Sequence, residues 1–110
     1  MTQEKNHGTE KSKFEPANFP ALGDYLPAYL HEDFADEYGT AAEAVKTFLA
    51  DASGDDIQNL REEWTLFRKT LAGRPIGDVQ HALEALGVAW HPETEQELAA
   101  IDEILSRAEA

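Results

Sequence analysis

Apolar residues recur at spacings of three and four on both sides of a short acidic connection, and a chain patterned this way has little choice but to pack helix on helix. On the first side stand Phe19, Leu22, Leu26, Tyr29 and Leu30; on the second stand Ala41, Ala44, Val45, Phe48, Leu49 and Ala52. Each set shares one face of an α-helix, whereas a strand would divide it between two faces. The connection, HEDFADEYG from His31 to Gly39, packs four carboxylates and two aromatic rings into nine residues, more chemistry than a turn requires.

Local signals divide the chain into about five helices. The first begins near Phe19, with Asn18 as its cap and Pro20 in the first turn, where a missing N–H costs nothing. Pro27 removes the hydrogen bond to the Gly23 carbonyl, which predicts a kink or two short helices meeting near Leu26. Thr40 and Glu43 form a capping-box pattern for the second helix, which runs to about Ala52 before the turn residues Ser53, Gly54 and Asp55. The third and longest carries Ile57, Leu60, Trp64, Phe67 and Leu71 on one face and stops at Gly73, Arg74 and Pro75. A fourth starts near Pro75, buries Ile76, Val79, Leu83 and Leu86, and ends at Gly87. Val88 to Pro92 form a linker, and Thr94 with Glu97 caps a fifth helix striped by Leu98, Ile101, Leu105 and Ala108. No β-alternation, internal repeat or low-complexity tract interrupts this series. The expectation is all-α: a compact single-domain bundle over residues 19–110, behind a disordered leader over residues 1–18, whose three Lys and three Glu carry no apolar period.

Charge narrows the function. The 110 residues hold 22 Asp and Glu against nine Lys and Arg, a formal net charge of −13. Direct binding to nucleic acid requires clustered cations and is not expected, whereas an acidic surface suits a basic protein partner or plain solubility. With no cysteine there is neither a disulfide nor a thiolate metal site. No apolar run is long enough to span a bilayer, and the polar N-terminus has no secretory h-region, so a cytoplasmic protein without membrane contact is expected.

The stretch FPALGDYLPAYLHEDFADEYGTAAEAVKTFLADAS resembles the N-terminal hallmark of CdiI-type immunity proteins of bacterial contact-dependent growth inhibition systems. The resemblance rests on FPAL, then AYLHEDF as an aromatic, histidine, acidic, aromatic run, then EYGT ahead of EAVKTFL, and it covers about a third of the chain. Beyond it, GVAWHP is a partial counterpart of the small aromatic-rich stretch such proteins carry near the final helix, and Thr94 to Ala110 is plainer and more acidic. What the resemblance implies is a small helical cytoplasmic protein, not an enzyme, that binds and neutralises the toxin domain delivered by neighbouring cells, often a nuclease. The charge agrees, because a nuclease presents a basic cleft to its substrate and an acidic protein can occupy it.

Candidate residues follow in two groups. Family members neutralise different toxins, so the shared Phe19, Pro20, Leu22, Tyr29, His31, Phe34 and Tyr38 are assigned to the scaffold. Partner binding falls to the acidic neighbours Asp24, Glu32, Asp33, Asp36 and Glu37, and to Trp90, which lies beside a linker and is expected to be partly exposed; Trp64 falls on an apolar stripe and belongs to the core. The same carboxylates have a bland reading as a solvated turn that caps helix starts. Metal ligation by His31 and its acidic neighbours lacks both the H-E-x-x-H pair and the glycine spacing of a calcium loop, so no metal and no cofactor are assigned. No nucleophile elbow or phosphate loop supports catalysis. The competing functions are an acidic helical adaptor or chaperone for a basic protein and, further off, a metal-binding protein; the oligomeric state is left open.

Overall fold

The computed structural model describes residues 17–108, in which six helices follow one another: α1 (Pro20–Tyr29), α2 (Phe34–Tyr38), α3 (Ala41–Asp51), α4 (Gly54–Thr70), α5 (Ile76–Ala85) and α6 (Glu95–Arg107). The all-α expectation holds, with no strand among the described residues. To the about five helices expected is added one short helix, α2, inside the acidic connection. Asp36 and Glu37 sit in its first turn, where unsatisfied backbone N–H groups favour carboxylates, and Gly39 at φ 92° ends it. The expected leader over residues 1–18 lies outside the described residues except for its last two, which turn into α1.

Helix α1 is capped at Phe19 rather than Asn18, and Pro20 takes its first turn as expected. It is also one helix rather than two meeting at Leu26. Pro27 lies in its last turn, where few hydrogen bonds remain to be lost, and the Leu30 N–H closes the end on the Leu26 carbonyl at 2.6 Å. Thr40 Oγ1 accepts the Glu43 N–H at 3.1 Å to start α3, but the Glu43 carboxylate turns to Lys46 instead of completing a box. At α6 the capping box is complete, with Glu97 reaching back to the Thr94 N–H. Ser53 caps α4, whose first turn holds Asp55 and Asp56 and whose last holds Arg68 and Lys69, the charge order that the helix dipole favours.

The predicted face of α4 is buried throughout, from Ile57 through Leu60, Trp64 and Phe67 to Leu71. Against it lie α1 and α6, and α3 packs on α1 and α6 in turn, so α3 and α4 sandwich the core from two sides while α2 rests on α3. Val79, Ala82 and Leu83 of α5 join the same cluster, as do Leu98, Ile101 and Leu105 of α6. Each fully buried Leu, Ile or Phe contributes roughly 1.5–3 kcal/mol of transfer free energy, which makes this one cluster the main source of stability.

The segment after α5 departs from its reading as a plain linker. Gly87, at φ 88°, closes α5 in a Schellman arrangement: its N–H bonds the Glu84 carbonyl at 2.9 Å and the Val88 N–H bonds that of Leu83 at 3.0 Å. The chain then runs extended, and Val88, Trp90 and Pro92 alternate inward into the core. The Ala89 N–H donates to the Leu30 carbonyl at 2.9 Å, strapping this segment to the end of α1. Trp90 is therefore only 5% exposed, and its expected partial exposure is corrected: alternation along the strap points its ring inward.

Candidate functional site

The acidic turn between α1 and α3 is held in shape by one imidazole. His31 Nδ1 accepts the Asp33 N–H at 3.1 Å, so in the neutral ring the proton resides on Nε2, which donates to Glu37 Oε1 at 2.9 Å. These two bonds tie the start of the loop to the first turn of α2 and fix the direction in which the carboxylates project. Glu32, Asp33, Asp36 and Glu37 are all exposed, as is Asp24 on α1. Beside the turn, Pro27, His31, Glu32, Asp33, Gly87 and Ala89 line an open notch of about 430 Å³, so the strap and the acidic turn share one surface.

A chain of rings runs beneath these carboxylates. Tyr25 stacks on Phe48 with centroids 5.0 Å apart, Phe48 meets Tyr29 edge-on at 5.5 Å, Tyr29 stacks on Tyr38 at 6.0 Å, and Tyr38 lies 6.4 Å from His31. Phe48 is buried, while the three tyrosines and His31 are only partly covered. Carboxylates that the sequence did not single out complete the surroundings. The Tyr25 hydroxyl donates to Asp56 Oδ1 at 2.8 Å, and the Leu22 N–H donates to Glu63 Oε1 at 3.0 Å, so α4 contributes acids to the face of α1. The hydrogen bond to Asp56 and partial burial push the Tyr25 phenol up, and the charges of Asp56, Asp24 and Glu63 add to it. Partial burial pushes Tyr38 up, with Glu37 and Asp51 adding to it. No signal in the sequence placed Asp51, Asp56 or Glu63 here, because their approach depends on how α3 and α4 pack against α1 and α2.

The residues assigned to the scaffold divide by depth. Phe19 and Leu22 are buried, and Phe19 meets Phe67 edge-on at 6.1 Å; Pro20 sits exposed in the first turn of α1; Tyr29, His31, Phe34 and Tyr38 lie at the boundary of core and surface. Among the described residues no group of three or more His, Asp or Glu converges as a metal would need.

A larger cleft, about 810 Å³, opens between α4, α5 and α6 and shares no lining residue with the acidic turn. Leu71, Val79 and Leu105 contribute to its apolar lining, and Arg61, Arg68, Lys69 and Arg74 also line it. Three of these cations are occupied: Arg68 binds Asp102 at 2.9 Å and also Glu95, Arg74 binds Asp78 at 2.8 Å, and Arg61 donates to the carbonyls of Leu105 and Ala108. Hydrogen bonds to Asp102 raise the Arg68 guanidinium beyond its ordinary range against the opposing effect of burial. The cleft is a braced seam between helices more than an open anion site.

A family profile described as the CdiI immunity protein matches residues 18–98, from the turn before α1 into the first turns of α6. The chain belongs to the CdiI immunity protein family. Toxin-neutralising immunity in contact-dependent growth inhibition is therefore its family function, and the immunity protein has to present a surface to a toxin. The matched span contains the whole acidic turn, the ring chain and the strap that buries Trp90. A search of curated proteins and a search of solved structures found no match. Among the described residues of this immunity protein no helix is long and apolar enough to cross a membrane.

Proposed function

We propose that this immunity protein neutralises a basic toxin domain, a nuclease, by laying the acidic face of α1 and α2 over its active site or substrate path. The observation that carries the reading is the state of the turn's carboxylates. Glu32, Asp33 and Asp36 are exposed and pair with no cation of the described residues, while Glu37 meets His31 and the neighbouring Tyr38 phenol. From Phe19 to Leu60 the chain holds nine Asp and Glu and a single Lys, and that Lys46 pairs with Glu43. Such a face attracts a phosphate-binding cleft over a Debye length of about 8 Å at physiological salt and raises the association rate, while the well-packed contacts of the complex govern its dissociation. The protein supplies no chemistry of its own in this reading. It acts by occupancy in the cytoplasm of the recipient cell.

The test mixes the purified protein with the toxin domain encoded by the neighbouring gene and follows toxin activity and association rate. Glu32→Lys, Asp33→Lys, Asp36→Lys and Glu37→Lys are introduced together in a variant whose helix content and melting are checked. Protection is expected to fall, with an association rate in the wild type that drops as salt rises. Undiminished protection by a folded charge-reversed variant overturns the reading.

A further inference from the structure

We infer that the partly covered rings of Tyr29 and Tyr38, flanked by Glu37 of α2 and Asp51 of α3, are the seat for an arginine side chain of the toxin domain; this rests on the acidic-face reading above. All three tyrosines of the chain, Tyr25, Tyr29 and Tyr38, lie on this one face, joined through Phe48 into a single ring system. Each of the three packs on the core yet leaves part of its ring uncovered, while Phe48 beneath them is buried. Two of the phenols sit beside negative charge, since Asp24, Asp56 and Glu63 act on Tyr25 and Glu37 and Asp51 act on Tyr38.

A flat π face bordered by carboxylates has a specific complement. The guanidinium group stacks on an aromatic ring while its N–H fork reaches a carboxylate in the same plane, and an ammonium does only the second well. Aromatic residues at the centre of an acidic rim also match the anatomy of protein interfaces, in which a few rings carry most of the energy and the charged border carries specificity and rate. Tyr29 and Tyr38 thus move from scaffold residues to anchors, with Glu37, already positioned by His31, as the adjacent carboxylate.

The chain suits a direct test. It has no cysteine, and both tryptophans are buried, so nitration by tetranitromethane reads its tyrosines, all of which belong to the patch. Nitration of the wild-type protein is mapped by peptide mass spectrometry with and without a saturating amount of the neighbouring gene's toxin domain. Strong protection of Tyr29 and Tyr38 is expected, and unchanged nitration in the complex overturns the inference. In parallel, Tyr29→Leu with Tyr38→Leu is expected to speed dissociation about tenfold or more, whereas Tyr29→Phe with Tyr38→Phe, which keeps the rings and the packing, stays within about threefold of wild type. A folded Leu variant that dissociates at the wild-type rate also overturns it. If charge reversal abolishes binding while the tyrosines remain open to nitration in the wild-type complex, the anchor falls and the acidic-face reading stands. If the wild-type protein does not bind the toxin domain at all, that reading falls and the anchor with it.

Discussion

The indole N–H of Trp64 on α4 donates to Asp102 Oδ1 on α6 at 2.7 Å, and the same carboxylate takes Arg68 Nε at 2.9 Å. One side chain thereby satisfies the single polar atom of a buried tryptophan and braces the cation one turn further along the same helix. Without Asp102, the Trp64 N–H would lose its protein acceptor at the edge of the cleft, and Arg68 would keep only Glu95. Asp102→Ala is therefore expected to destabilise the fold by about 2 kcal/mol, measured by urea denaturation. Asp102→Asn, which retains an oxygen for the indole while losing the charge that Arg68 needs, should fall between the two.

This network shows where sequence reading ends. Every long helix was legible from apolar spacing and capping residues, since both signals are local: Thr94 with Glu97, Ser53, and Gly87 each act within one turn of chain. The Glu103 and Arg107 pair on α6 is local in the same way, four residues apart on one helix. Asp102 with Trp64 and Arg68, Asp56 with Tyr25, and Glu63 with Leu22 join residues more than thirty positions apart, and no spacing rule reaches across a helix pair. The acidic residues of the turn were legible as a group. Their relation to a tyrosine face was not, because it arises from α2 folding back on α3.

Trp90 tests the strap. Its side chain fills core between the end of α1 and the start of α6, held by the Ala89 to Leu30 hydrogen bond and the Gln80 to Pro92 hydrogen bond at 2.7 Å. Trp90→Ala should cost about 3–5 kcal/mol of stability through the cavity it leaves, a large share of what a small domain possesses. Trp90→Phe should cost less and leave toxin affinity near wild type at temperatures where the variant is folded. Loss of affinity at unchanged stability would instead restore Trp90 as a partner contact.

Two glycines should respond in opposite directions. Gly87 adopts φ 88°, which L-residues rarely adopt, while a Cβ there would meet Pro27 Cγ at an ordinary 3.6 Å. Gly87→Ala thus carries a conformational cost without a clash, about 1–2 kcal/mol. Gly77 lies inside α5 with open space around it and no unusual φ, so Gly77→Ala relieves the flexibility of the unfolded chain and should stabilise by about 0.5 kcal/mol. Paired thermal melts of the two variants check both signs.

Alkaline pH should dissect the tyrosine face. The hydrogen bond to Asp56 raises Tyr25 above its ordinary value of 10.0, and partial burial raises Tyr38 above the same value. A phenol raised in the folded state keeps its proton longer than in the unfolded chain, so above the ordinary value the folded form binds more protons and stability falls as pH rises. Below that value both states are protonated and the contribution is fully present. Ultraviolet titration of the folded protein should therefore show late-ionising phenols that belong to Tyr25 and Tyr38, and Tyr25→Phe and Tyr38→Phe should each remove one of them. Asp56→Asn should draw Tyr25 back towards its ordinary range by removing both the charged acceptor and its repulsion of the phenolate. A titration in which Tyr25 and Tyr38 ionise at the ordinary value would mean that the acids of α1 to α4 do not converge on these two rings.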